Sequence, residues 1–452
     1  MSSPTIKEAW DVYTDGFSSP QKFLDWSFLF LISASLGRRV WTSGDEHPCF
    51  SNMYPILVGR PGIGKDLPIK TVSNLLKHWK MGDNKDLMGT KLSEHKTAVE
   101  AMIETDTEKT QKEEYQGKVE TQETIRPLIF PVAPDATTYE ALIQAVCESH
   151  RRVQFPKYSD KLQKMILGTY GHCSITFALP ELASLFKRRA EDTITYLLGT
   201  YDCPEDYEYR TKHNGRDRVR RACVNLLGGI QPDIIQEIFS DKVISAGMSS
   251  RMFFIFASKS RKYVARIPSL TPEQIVAKEL ILNHIKKLSV LYGRLEASPE
   301  TWDFFDKWWI NYQENPCDRA NKASTLESYY ARKNIHVLKV ATAKHFSESV
   351  EMMLPQETIK WAIDFTAEEE KTMHFALDFG ADNPLFKVGK RIKQFLTTGE
   401  KSWIDLLLET EGVATQSGLT ETLNFLAETG QVRSITRIDT DTNKTTVYWS
   451  LA

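Results

Sequence analysis

The chain has 452 residues, 41% apolar and 26% charged, an ordinary globular composition with room for about two or three domains. Its formal net charge of −2 exerts no overall pull on nucleic acid, so any polyanion site has to be a local patch. Six cysteines without a CxxC spacing argue against a zinc module and fit reduced thiols. The longest apolar run, Phe28 to Leu36, is too short and too interrupted to span a membrane, so the expectation is a cytoplasmic protein.

Residues 1–50 read as a small helical prelude. Phe23, Leu24, Phe28, Leu31 and Ile32 fall at helical spacing between Pro20 and Leu36, and Gly37 stops the pattern. Arg38 to Trp41 predicts a strand leading into a turn at Gly44 to Pro48.

The stretch from Met53 to Lys70, MYPILVGRPGIGKDLPIK, is the most informative in the chain. Tyr54 to Val58 predicts a buried strand, with Pro55 at its start or off the ladder. Gly59, Arg60, Pro61, Gly62, Ile63, Gly64 and Lys65 keep the GxxxxGK spacing of a phosphate-binding loop, and a helical pattern follows from Pro68 to Trp79. Glycines let backbone N–H groups wrap phosphates at a helix N-terminus, and Lys65 adds a point charge. A Gly/Pro surface turn is the plainer reading; the strand before and the helix after favour nucleotide. Position 66 departs from the pattern, because Asp66 stands where a Ser or Thr hydroxyl would ligate Mg²⁺.

Asp83 to Thr124 is dense in Glu and Lys and reads as a solvated arm. Pro127 to Val132 predicts a strand, and Asp135 to Thr138 caps a helix reaching Glu148. Such alternation predicts a parallel α/β sheet. Ser174 to Leu179 predicts another buried strand, ending in Pro180-Glu181. An ATPase with this loop carries Asp-Glu at that place, the Asp for Mg²⁺ and the Glu to orient water. Glu181 suits the second role and Pro180 cannot fill the first. Asp66 is then the candidate metal residue, supplying from the loop the carboxylate that the strand lacks. The alternative is a site that holds nucleotide and hydrolyses it poorly.

Asn214-Gly215 between β-leaning flanks predicts a hairpin over residues 207–224. Arg210, Lys212, His213, Arg216, Arg218, Arg220 and Arg221 crowd that ribbon, a footprint for phosphate backbone, with a solvated surface hairpin as the plainer reading. Val224 to Ile230 predicts a strand ending in Gln231, a polar residue suited to sensing a γ-phosphate. Arg251 precedes the apolar run Met252 to Phe256, where it could reach a neighbour's nucleotide.

Four helical patterns follow: Pro272–Leu291, Pro299–Tyr312, Thr325–Phe346 and Pro355–Phe379. Trp302, Phe305, Trp308 and Trp309 read as core, and Arg332 lies on the polar side of its helix. After the junction Phe379 to Asn383, three helices (386–396, 402–409, 415–428) and strands at 432–438 and 445–449 give the order of a winged helix. Its third helix is polar rather than basic, so Arg433, Arg437 and Lys444 on the wing are the better cations; such modules also dock proteins.

The succession of SLGRRVW, NMYPILVG, FALPEL, LLGGIQPD and GMSSRMFFIF resembles the phage and mobile-element helicase or primase-helicase-type AAA+ ATPases, which look related to the minichromosome maintenance helicases. The resemblance implies an α/β fold with an AAA+ P-loop ATPase core and a C-terminal winged-helix domain. The implied division is a prelude over 1–50, the ATPase core over 51–265, a helical lid over 266–382 and the winged helix over 383–452. It makes Gly59–Asp66 the nucleotide loop, Glu181 a degenerate acidic motif, Gln231 the first sensor, Arg251 an arginine finger and Arg332 a candidate second sensor. Lys212, His213, Arg216 and Arg218 become DNA contacts in the channel of a ring, commonly a hexamer, using ATP and Mg²⁺. The implied role is replication of a phage or mobile element in the host cytoplasm, with a primase or other replication protein as partner. A nucleotide-switched initiator, loader or scaffold would keep the ring and hairpin and turn over slowly. A metabolic P-loop kinase would leave the hairpin, Arg251 and the winged tail unexplained.

Overall fold

The computed structural model describes residues 4–44, 46–81, 127–134, 139–159, 164–186, 189–211, 215–238, 247–266, 268–316, 319, 326–377, 384–428, 431–438 and 445–451. The first half contributes helices α1 (Ile6–Tyr13), α2 (Gln21–Leu36), α3 (Asp66–His78), α4 (Tyr139–Glu148), α5 (Ala183–Phe186), α6 (Ala190–Tyr201) and α7 (Pro232–Ile238). Its strands are β1 (Val40–Thr42), β2 (Cys49–Phe50), β3 (Pro55–Val58), β4 (His150–Ser159), β5 (Lys164–Leu179), β6 (Asp206–Thr211), β7 (Gly215–Arg220), β8 (Ala222–Ile230) and β9 (Phe253–Phe256).

All four residues of β3 and all nine of β8 are buried, so neither strand alternates polar with apolar: they are interior strands of a mostly parallel sheet. The order is β4-β5-β8-β3-β9. β5, β8, β3 and β9 run parallel and β4 returns antiparallel on β5. Pro55 opens β3 opposite Phe253, at the ladder's end, where a missing N–H is tolerated. The chain leaves β3, forms β5 two places away, comes back to insert β8, then crosses to β9 on the far side. β3 therefore stands where the strand order reverses, and a crevice opens beyond its carboxyl end.

Helix α2 is apolar almost all round and buried from Trp26 to Leu36, as a helix enclosed on every side has to be. It packs on β3 and β8, with α3 on β5 and β8 and α6 on β8. Gly37 ends it at φ 55°, where a Cβ would stand 2.9 Å from the Ser174 hydroxyl oxygen. The segment Pro127 to Val132, expected as a strand, makes only two isolated bridges, Lys80 with Leu128 and Val132 with Thr176. Pro127 and Pro131 lack the N–H groups a continuous ladder needs. The expected arm at 83–124 and cap at 135–138 lie outside the described residues.

The second half is helical: α8 (Pro272–Leu288), α9 (Pro299–Glu314), α10 (Glu327–Tyr330), α11 (Lys333–Glu348) and α12 (Gln356–Leu377). The single helix expected from Thr325 to Phe346 breaks at Arg332, whose φ −121° and ψ 13° are not helical. Phe305 is buried and Trp302, Trp308 and Trp309 pack partly buried on the main core.

A terminal unit follows, with α13 (Pro384–Leu396), α14 (Trp403–Glu409), α15 (Gln416–Glu428) and a sheet of Lys401–Ser402, Val432–Ile438 and Thr445–Leu451. Its core is its own: Val388, Ile392, Leu396, Leu406, Leu419, Leu423, Leu426 and Val432. Ser402 caps α14 through a reciprocal box with Asp405. No helix among the described residues is long and apolar enough to cross a membrane.

Candidate functional site

The turn after β3 depends on its glycines. A Cβ on Gly59 would lie 2.9 Å from the Ala257 carbonyl oxygen, and Gly62 and Gly64 take φ 80° and 90°, the left-handed region. Gly64 also faces the backbone of Ser19, 3.2 Å from a would-be Cβ. Two hydroxyls anchor the loop from outside: Ser19 Oγ donates to the Gly64 carbonyl at 2.6 Å, and Ser260 Oγ to that of Ile63 at 3.3 Å. Ile63 is buried beneath it, while Arg60 and Pro61 are exposed at the rim.

Helix α3 starts directly from this loop, with Lys65 at its N-cap and Asp66 as its first residue. A 13-residue helix presents unpaired N–H groups and a partial positive charge there, a receptor for anions. Lys65 folds over the loop, its Nζ donating to the carbonyls of Gly59 at 2.6 Å and Arg60 at 2.9 Å. Burial lowers its pKa, and the carboxylates of Asp66 and Glu181 oppose that shift. So both carboxylates lie within electrostatic reach of the Lys65 ammonium.

Glu181 arrives from the end of β5. The Leu182 N–H donates to the Gly229 carbonyl at 2.9 Å, and a Cβ on Gly229 would stand 2.5 Å from the Pro180 oxygen. Only glycine lets the two strand ends close this tightly. Gly59 N–H donates to the Ile230 carbonyl at 3.3 Å, so Gln231, the next residue, sits beside the start of the loop. The carboxyl ends of β3, β5 and β8 thus bring Lys65, Asp66, Glu181 and Gln231 to one mouth.

No group of three or more metal-ligating side chains occurs among the described residues. Mg²⁺ needs none of that kind, since one or two carboxylates plus substrate phosphates hold it. Asp66 fits: it is exposed, and its ion pair with Lys70 is long, at 3.9 Å. Asp66→Ala is expected to raise the Mg²⁺ concentration for half-maximal turnover several-fold; a metal titration superimposing on wild type would remove Asp66 from the metal site.

Arg251 and Arg332 are not at this mouth. Phe253 pairs with Pro55 in a parallel ladder, so Arg251 lies at the amino edge of the sheet. At about 3.3 Å per residue it stands roughly 15–20 Å from the loop, beyond a side chain's reach. The structure brings Arg251 and Arg332 together instead, both on the carboxylate of Asp202 at the C-terminus of α6.

The hairpin forms as β6 and β7, with Thr211 opposite Gly215. Its tip, Lys212, His213 and Asn214, lies outside the described residues; Arg216 and Arg218 are on β7, in backbone register with Arg210 and Glu208 of β6. Two of the expected free charges are matched. Arg220 pairs with Asp206 at 3.5 Å and Arg221 with Glu205 at 2.9 Å. β7 feeds the amino end of β8, so the ribbon is at the opposite edge from Lys65. In the terminal unit Arg437 pairs with Glu400 at 2.7 Å and Arg433 donates to Ser450; Lys444 lies outside the described residues.

No protein-family model matches this chain, and no curated protein matches it. Sequence reasoning passed over Ser19, Ser260 and Asp202. Ser19, just before Pro20 and the apolar run of α2, reads as an ordinary helix start, and nothing local marks Asp202.

Proposed function

We propose that the chain is an AAA+ ATPase that assembles as a ring, commonly a hexamer, and translocates on DNA threaded through its channel in phage or mobile-element replication. The observation that carries this reading is the division of labour between the two sheet edges. An anion receptor with Lys65, Asp66, Glu181 and Gln231 occupies one edge, and two arginines that cannot reach it occupy the other. A site so divided is completed when one copy's arginines meet the next copy's loop.

In this reading ATP phosphates lie on the N–H groups at the start of α3, and the Lys65 ammonium exchanges the carbonyls of Gly59 and Arg60 for phosphate oxygens. Glu181 orients the attacking water and Gln231 contacts the γ-phosphate. Asp66, together with the phosphates, would hold Mg²⁺, which when bound would supply neutralisation of phosphate charge. A neighbour's arginines stabilise charge developing on the transferred phosphoryl group. The terminal unit, three helices with a three-stranded sheet, is assigned as a winged helix. A slow nucleotide switch, as in an initiator or loader, is the second reading; Pro180 favours it, because it removes a carboxylate from the mouth.

The hairpin tests the DNA half of the proposal. Replacing Lys212 and Arg216 by alanine is expected to weaken DNA binding across sequences alike, because phosphate contacts position without reading bases. Each lost contact should flatten the log-affinity against log-salt slope by roughly 0.7 on single strands. Wild-type affinity and slope in a fluorescence-anisotropy titration would return the ribbon to a surface ornament and make the terminal unit the leading DNA contact.

A further inference from the structure

Arg251 and Arg332 come from segments far apart in the chain, yet they divide one carboxylate between them. Arg251 Nη2 lies 3.5 Å from Asp202 Oδ2, and Arg332 Nη2 donates to Asp202 Oδ1. Two guanidinium groups brought this close repel, and a charge between them is what holds them side by side. We propose that Asp202 is a positioning residue that aligns Arg251 and Arg332 as a single cationic pair for the nucleotide of the neighbouring subunit. The inference rests on the ring-ATPase reading above.

The surroundings fix Asp202 and leave the arginines with donors to spare. Asp202 caps the C-terminus of α6 just after Tyr201, which is fully buried. The Tyr201 carbonyl accepts from Asn52 Nδ2 at 2.9 Å, and Asn52 Oδ1 accepts from Lys339 Nζ at 2.6 Å. The Tyr201 hydroxyl bonds His336 Nδ1 at 3.2 Å, and His336 Nε2 bonds the Ser250 carbonyl at 3.0 Å. Burial pushes His336 down to about 3, so it is neutral and can accept at one nitrogen and donate at the other. One ring therefore ties the turn before Asp202 to the turn before Arg251, while Arg332 lies 5.6 Å over Tyr201.

Charge and hydrogen bonding both leave room for an incoming anion. One carboxylate under two guanidinium groups leaves a surplus of one positive charge. Arg251 also donates to the Gly247 carbonyl and Ser250 Oγ, each at 3.3 Å, and Nε of both arginines is buried without a partner, so an incoming anion meets the part of each guanidinium that remains in solvent. Asp202 is half exposed, and each arginine keeps about a fifth of its side chain in solvent: 21% for Arg251 and 22% for Arg332. A terminal phosphate brings more oxygens than one carboxylate offers and matches the fork of each guanidinium.

A plain surface ion pair would contribute little, and its removal would leave turnover unchanged. A positioning role predicts more. Asp202→Ala in the full chain should lower ATP turnover on the order of 10- to 100-fold, since small misplacements of a reacting partner cost that much. Asp202→Glu, which keeps the carboxylate, should recover part of it, and Asp202→Asn should not. Mixed rings separate this from misfolding. Asp202→Ala mixed with Lys65→Ala should regain activity, because intact loops then meet intact arginine pairs; Asp202→Ala mixed with Arg251→Ala should not. Wild-type turnover of Asp202→Ala, or a loss that Lys65→Ala subunits fail to repair in confirmed mixed rings, would overturn the assignment. Either result beside an inactive Lys65→Ala protein rejects Asp202 alone, whereas a fully active Lys65→Ala protein rejects the nucleotide site itself.

Discussion

Lys65→Ala is expected to lose ATP turnover by about 100-fold or more while the protein stays folded. The size follows from removing a fixed cation from the point where phosphate charge is stabilised, a loss of the order seen when one such donor is deleted. Folding should survive because the loop is not built on that side chain. Gly62 and Gly64 set its path, Ser19 and Ser260 hold its carbonyls, and Ile63 is packed beneath it. Of the two carbonyls that lose the ammonium, that of Arg60 is at the exposed rim, where water can replace it, and that of Gly59 lies buried behind it. Circular dichroism and a coupled phosphate-release assay read the two halves of the expectation. Wild-type kcat in this variant would remove the site from the loop.

Arg251→Ala is expected to bind ATP as tightly as wild type and to hydrolyse it about 1,000-fold more slowly, the lower range for an arginine supplied in trans. Its distance from Lys65 within one chain is the reason: it can act only on a neighbour's nucleotide. Mixing Arg251→Ala with Lys65→Ala should then restore part of the activity, since some interfaces pair an intact loop with an intact arginine. Native mass spectrometry verifies the mixed assembly. No recovery at any ratio, once mixing is verified, would count against a shared site.

The parts of the molecule legible in the sequence are those in which one residue type has only one use. Gly59, Gly62, Gly64 and Lys65 announce the loop, because a left-handed backbone and a cation at a helix start leave a fixed spacing. The buried runs of β3 and β8 and the apolar α2 were equally plain, and the antiparallel hairpin followed from Asn214-Gly215. Other features depend on partners that no local pattern carries. Arg220 and Arg221 counted as free charge until Asp206 and Glu205 met them across space. The helix expected through Arg332 breaks there, and its guanidinium turns to Asp202. Asp202 itself sits in the turn Tyr201-Asp202-Cys203-Pro204, which reads as nothing more than a helix end. What joins it to two arginines is the folding of α6, β9 and α11 around His336.

The most direct test is ATP turnover of the purified full chain, titrated with single-stranded DNA. A ring ATPase that threads DNA should hydrolyse ATP with Mg²⁺ and do so several-fold faster as DNA saturates. Absence of hydrolysis with and without DNA, in protein shown to be folded and assembled, would contradict the assignment.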